Sequence, residues 1–179
     1  MTEPGPRSPN LEYRRPVAAD ADALHALITD DHVKRYLCDG QTLPRSWAVD
    51  TIAADAQLYR ARGVGVWLLF APGAAEPLGF CGFVTLAGFD AFDGEPQLTY
   101  ALRGTATGRG IASEAVAACT EFASAHTDLP ALLAAVDEPN RASIRVLEKL
   151  GFTRCGELPG AFGTMLLYRR EVDRPAANG

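Results

Sequence analysis

Positive charge is scarce in this chain. Its 17 Lys and Arg stand against 22 Asp and Glu, for a net charge of -5. No basic stripe of the kind that holds a phosphate backbone runs through it, which excludes nucleic acid as the main partner and leaves basic substrates compatible. The four cysteines, Cys38, Cys81, Cys119 and Cys155, contain no C-x-x-C pair, so neither a zinc site nor a disulfide frame is indicated. His25, His32 and His126 lack metal-ligand spacing, and no metal is expected. No apolar run is long enough to span a bilayer, and the first ten residues carry no apolar signal-peptide core, so the expectation is a cytoplasmic protein without a membrane partner. Interior linkers and internal repeats are missing as well. A single domain over residues 10–172 is expected, flanked by ends at 1–9 and 173–179 whose Pro, Gly and Asn content predicts flexibility.

What is present is a clear alternation of patterns. Apolar runs and helical spacing predict a strand at 11–15, helices at 20–29, 31–37 and 46–61, and strands at 65–70, 78–87 and 97–102. They continue with a helix at 110–126, a strand at 131–136, a helix at 141–150, and strands near 153–158 and 163–170. Short turns bearing Pro72-Gly73, Pro77 and Asp93-Gly94 join the strands between 65 and 102, which makes them an antiparallel meander. The strand-helix-strand passage from 97 to 136 requires one parallel pair. The fold class is therefore α/β (α+β), a mixed, largely antiparallel sheet with helices on both faces.

The strand Leu98-Thr-Tyr-Ala-Leu102 feeds the loop Arg103–Thr107 and then Gly108-Arg109-Gly110, which opens a helix with Ile111, Ala115, Cys119 and Phe122 on one side. Helix-start N–H groups lack intrahelical partners and lie at the positive end of the helix dipole, so the layout suits a pyrophosphate. The P-loop pattern fails, because no Gly-Lys-Ser/Thr follows Gly104. The dinucleotide fingerprint fails at Ser113, where its third glycine belongs, and its turn is tighter than the five residues between Leu102 and Gly108.

The remaining pattern, Thr105-Ala-Thr-Gly108-Arg-Gly110, resembles the acetyl-coenzyme A loop of the GNAT acetyltransferases, except that Thr105 replaces the usual Gln or Arg. A more specific likeness lies in Asn140-Arg-Ala-Ser143 with Glu148-Lys-Leu-Gly-Phe152, which resembles the second GNAT signature. Asn140 is also a natural N-cap, and Gly151 is suited to a left-handed helix end with Phe152 packing back. The start, Leu11-Glu-Tyr-Arg-Arg15-Pro16 with Asp20 and Val33–Leu37, is similar to the branch containing the ribosomal-protein alanine and serine N-terminal acetyltransferases (Rim-type).

The resemblance implies an N-acetyltransferase that moves an acetyl group from acetyl-coenzyme A to a primary amine by direct attack in a ternary complex. The cofactor would contact Leu98, Tyr100, Ala101 and Leu102 of the strand, then Thr105, Ala106, Thr107, Gly108, Arg109, Gly110, Ile111 and Ala112, and finally Asn140, Ser143 and Lys149. A backbone N–H within Leu98–Leu102 would meet the thioester. Leu147 stands where the family commonly has a tyrosine, so Ser143 is the group implied near the sulfur. For the general base Glu95 is the candidate, with Asp93 beside it; Asp137 and Glu138 acting through water, or a water chain alone, stay open. Gln97, an amide, stands where related sequences often have Glu. Two rival functions are a catalytically silent acyl-coenzyme A module and a nucleotide-dependent oxidoreductase with Asp137 on a ribose. The acceptor, a protein N-terminus or a small-molecule amine, is expected to be set by the first helices and the loops near 38–46 and 159–163. A homodimer is an open alternative to a monomer.

Overall fold

The computed structural model describes residues 4–86 and 89–172. Among these, the elements in order are β1 (Glu12–Arg14), α1 (Ala21–Ile28), α2 (Asp31–Leu37), α3 (Arg45–Arg62), β2 (Val66–Phe70), β3 (Gly79–Val84), β4 (Gln97–Leu102), α4 (Ile111–His126), β5 (Ala131–Asp137), α5 (Arg141–Lys149), β6 (Thr153–Gly160) and β7 (Gly163–Glu171). They match the sequence-predicted elements closely. The main difference is β3, which ends at Val84, where its pairing with Gln97 of β4 ends; positions 87 and 88, at and beyond the expected strand end, lie outside the described residues.

The strands form a seven-stranded sheet in the order β1-β2-β3-β4-β5-β7-β6. β1 to β4 form an antiparallel meander, β4 and β5 are the parallel pair, and β7 lies antiparallel between β5 and β6. β2 reads Val-Trp-Leu-Leu-Phe and is buried along its whole length, as a strand covered on both faces must be. Its side chains alternate between two cores. Trp67 and Leu69 join α4 and α5 residues such as Ala115, Cys119, Phe122 and Leu147. Val66, Leu68 and Phe70 join Leu24, Leu27, Ile28 and Ile52 from α1 and α3. The doubly wound parallel sheet that the oxidoreductase reading requires is absent among the described residues, because the described sheet has one parallel pair.

Both ends of α5 follow local rules. Asn140 Oδ1 accepts from the Ser143 N–H at 3.2 Å. Gly151 adopts φ 81°, and the Phe152 N–H reaches Leu147 O at 3.0 Å while the Gly151 N–H reaches Glu148 O at 3.1 Å, the paired bonds of a glycine-terminated helix. Of the ends expected to be flexible, 1–3 and 173–179 lie outside the described residues. Within 4–10, Pro4 O accepts from Tyr59 Oη at 3.1 Å and the Asn10 N–H donates to Glu114 at 2.9 Å.

Candidate active site

The site originates in a mismatch of strand lengths. β4 and β5 pair only at Gln97 with Leu133 and Leu98 with Ala134. Beyond that point β4 stays paired to β3 as far as Leu102 with Gly79, and β5 stays paired to β7 as far as Asp137 with Met165. Each strand is held by its outer neighbour, so a wedge opens between Thr99–Leu102 and Ala135–Asp137. Backbone groups of β4 that point into the wedge have no strand partner there, and a rigid row of such donors suits a developing oxyanion. A cavity of about 1120 Å³ fills the wedge and runs on between α2 and α3, with Leu98–Leu102, Ala134–Asp137 and Asn140–Ser143 in its walls.

At one end the wall is made by Thr107, Gly108, Gly110, Ile111, Ala112 and Ser113. Gly108 and Gly110 have φ 71° and 77°, a conformation that costs other residues steric strain. A Cβ added at either would meet nothing within 4 Å, so the space beside both glycines is open. Gly110 caps α4 without a side-chain bond. The first ladder bond runs from the Glu114 N–H to Gly110 O at 3.0 Å, which places the Ile111, Ala112 and Ser113 N–H groups ahead of the ladder. Helix-start N–H groups outside the ladder, beside open space at a cavity wall, are an arrangement that suits an anion.

In the middle, Ser143 and Tyr100 meet. Ser143 Oγ donates to Tyr100 Oη at 2.5 Å, and Tyr100 Oη donates to the Ser143 carbonyl at 3.2 Å. Burial pushes the Tyr100 phenol above its ordinary pKa, partly offset by the Ser143 hydrogen bond, so the phenol keeps its proton at neutral pH. Leu147 lies buried in the same wall.

Asp137, the last residue of β5, is 4% exposed. Its Oδ1 is buried and has no hydrogen-bond partner among the described residues. Gly160 of β6 leaves room for this carboxylate: a Cβ at Gly160 would lie 2.9 Å from Oδ1. Desolvation raises the Asp137 pKa, and the charge of Asp39 raises it further. Asp39 follows α2, has φ 52°, and lines the same cavity.

Other predicted site residues are placed elsewhere. Glu95 is outside the cavity lining and pairs with Arg62 at 2.6 Å, a partner that lies 33 positions away in sequence and is set by the end of α3. Thr105 is exposed, and Ala106 is buried in the core against α4. Arg109 and Lys149 are exposed and do not line the cavity. The structure thus brings together Leu98, Tyr100, Ala101, Leu102, Thr107, Gly108, Gly110, Ile111, Ala112, Asn140 and Ser143. Pairing of Tyr100 with Ser143, and the approach of Asp39 to Asp137, had no local sequence signal.

The family model for the acetyltransferase (GNAT) domain matches residues 10–153. The chain belongs to the GNAT acetyltransferase family. Among proteins similar to this acetyltransferase is the "Uncharacterized N-acetyltransferase p20" of Bacillus licheniformis, 28% identical over 148 residues that cover 83% of this chain and 82% of the relative. A putative GnaT-family acetyltransferase from Bordetella pertussis superposes with a TM-score of 0.79 at 24% identity, covering 92% of this chain and 97% of that one. The ribosomal L7/L12 alpha-N-protein acetyltransferase RimL, solved in complex with coenzyme A, superposes with a TM-score of 0.76 at 20% identity over 93% of this chain and 96% of that one. The acetyltransferase shares its fold with these structures.

Proposed function

We propose that this acetyltransferase transfers the acetyl group of acetyl-coenzyme A to a primary amine by direct attack in a ternary complex. The observation that carries the reading is the wedge between β4 and β5, with an anion cradle at one end and an unpartnered carboxylate at the other. The cosubstrate supplies an activated thioester. Backbone N–H groups at Gly108–Ser113 hold its pyrophosphate, and N–H groups of Thr99–Leu102 that point into the wedge stabilise the negative oxygen formed when the amine attacks. Asn140 both caps α5 and faces the pantetheine arm. The coenzyme A complex of RimL, which has the same fold, supports this assignment of the cavity. Release of thiol dependent on both acetyl-coenzyme A and an amine, with the acetylated amine identified by mass, tests the reaction; binding of acetyl-coenzyme A without transfer to any amine would favour the silent module instead.

The Tyr100–Ser143 pair serves the departing sulfur. Ser143 donates to Tyr100, which leaves the phenolic proton able to turn from the Ser143 carbonyl toward the thiolate. A thiol pKa near 8.5 makes the thiolate a tolerable leaving group, so assistance falls at the lower end of the usual range for proton transfer, about 10²-fold. Ser143→Ala and Tyr100→Phe are each expected to lower kcat by roughly that factor, with acetyl-coenzyme A affinity little changed and the deficit narrowing as pH falls. The double variant should be no worse than either single one, because the two hydroxyls act as a unit. Full kcat in both single variants would assign the proton to water.

A further inference from the structure

We infer that the acceptor is a single-charge primary amine borne on an apolar body, with its ammonium held between Asp137 and Asp39. This rests on the acetyltransferase reading and deepens it. Asp137 is nearly fully buried, and its Oδ1 lacks a hydrogen-bond partner among the described residues. An ionised carboxylate in that state is costly unless a cation reaches it. Asp39 supplies a second negative charge close enough to perturb the first, and its carboxylate is exposed at the mouth of the cavity. Asp55 also touches the cavity but is committed to Arg15 at 2.5 Å and to the Val66 N–H at 2.6 Å. That leaves two carboxylates for the acceptor, enough for one ammonium and too few for a polycation.

The walls beyond these carboxylates are largely apolar on the α2 and α3 side, with His32, Thr51 and Thr85 as the polar side chains among them. Leu37, Trp47, Ile52, Phe80 and Val84 line the cavity on the α2 and α3 side. Tyr36, also in the wall, meets Phe162 of the β6–β7 turn edge to face at 5.7 Å. The acceptor lobe therefore offers a carboxylate pair for one positive charge and a largely apolar wall for the body that bears it. Inside it, low polarity favours a neutral amine beside a carboxylic acid over an ion pair. One ammonium N–H bond breaks and Asp137 takes that proton. The nitrogen lone pair then bonds to the thioester carbonyl carbon, the carbon–sulfur bond breaks as the sulfur takes the Tyr100 phenolic proton, and the second proton lost by the nitrogen restores that phenol by way of water.

A carboxylate next to the amine would face Asp39 and Asp137, while Arg141, the arginine in the lining, is drawn to Glu138 at 3.8 Å, so amino acids with a free carboxyl should be rejected where their amides are accepted. The test measures thiol release from acetyl-coenzyme A with 2-phenylethylamine, phenylalaninamide, phenylalanine and spermidine. The two amines without a carboxylate are expected to exceed phenylalanine and spermidine by at least about tenfold in kcat/KM. Asp39→Asn keeps the left-handed backbone, which asparagine tolerates. It is expected to raise KM for 2-phenylethylamine about threefold to fivefold, leave the KM for acetyl-coenzyme A unchanged, and narrow the discrimination against phenylalanine. Equal use of phenylalanine and its amide, a preference for spermidine, or an unchanged amine KM in Asp39→Asn would overturn the subsite while thiol release itself upheld the transferase reading. No thiol release with any of the four amines would overturn the subsite, and the transferase reading falls with it only where a wider set of amines and N-terminal peptides also gives none despite calorimetric binding of acetyl-coenzyme A.

Discussion

Asp137→Asn is expected to silence turnover while making the protein harder to unfold. The side chain keeps its shape but can no longer accept a proton, so kcat/KM for the best amine should fall about 10²–10⁴-fold. Stability should move the other way. The native carboxyl titrates above its ordinary value of 3.8 because it is desolvated and faces Asp39. Where the folded form binds the proton more tightly than the unfolded form, stability falls as pH rises. The cost is absent below the unfolded pKa, grows as pH passes from there through the raised native value, and is complete above it. Asn at 137 removes that cost, and at neutral pH the melting temperature should rise by about 2–4 °C for each kcal/mol recovered. The gap between the two proteins should close as pH is lowered toward 4. Thermal melts across that range, beside kinetics at neutral pH, check both halves. Full turnover in the variant would remove Asp137 from the chemistry, and a variant less stable at neutral pH would remove the desolvation cost assigned to its carboxylate.

Gly110→Val should abolish measurable acetyl-coenzyme A binding in a folded protein. Valine at φ 77° costs about 1–3 kcal/mol of backbone strain, and its side chain would enter the open space beside the α4 N-terminus. That space is where the pyrophosphate would lie. Hydrogen bonds to charged groups contribute about 1.5–3 kcal/mol each, so displacing the phosphate from two N–H groups weakens binding by about 10²-fold or more. Gly73→Val separates strain from occupancy. Gly73 has φ 72° and equally empty surroundings, but it lies in the turn between β2 and β3, outside the cavity wall. It should lose similar stability and bind acetyl-coenzyme A normally in calorimetry. Equal binding by both variants would show that the glycine loop is not the phosphate cradle.

Much of this molecule was legible in its sequence because the governing interactions are local. The cap at Asn140, the left-handed Gly151 and the apolar face of α5 are all settled within about three turns of chain, and the structure has them where the residues predict. The glycine loop opening α4 follows the same rule, since orphan N–H groups and positive φ values are properties of a few adjacent residues. The meander of β2, β3 and β4 is legible because short turns leave antiparallel pairing as the available geometry. Glu95 shows the limit of adjacency. Its place just before β4 suggested a base, yet Arg62 at the end of α3 holds it and the cavity lies elsewhere.

Composition, periodicity and short motifs alone determined the order of elements, the parallel strand pair and the glycine loop that opens α4, because each depends on residues within one element or its cap. Tertiary structure decided which side chains meet in the cavity. Tyr100 and Ser143 are 43 positions apart and meet only because α5 packs across the wedge beside β4. Asp39 and Asp137 come from the end of α2 and the end of β5, and their shared field exists only once the cavity is enclosed. Burial is likewise a property of the whole assembly. It is what changes Asp137 from an ordinary strand-end carboxylate into a desolvated one whose Oδ1 has no hydrogen-bond partner among the described residues.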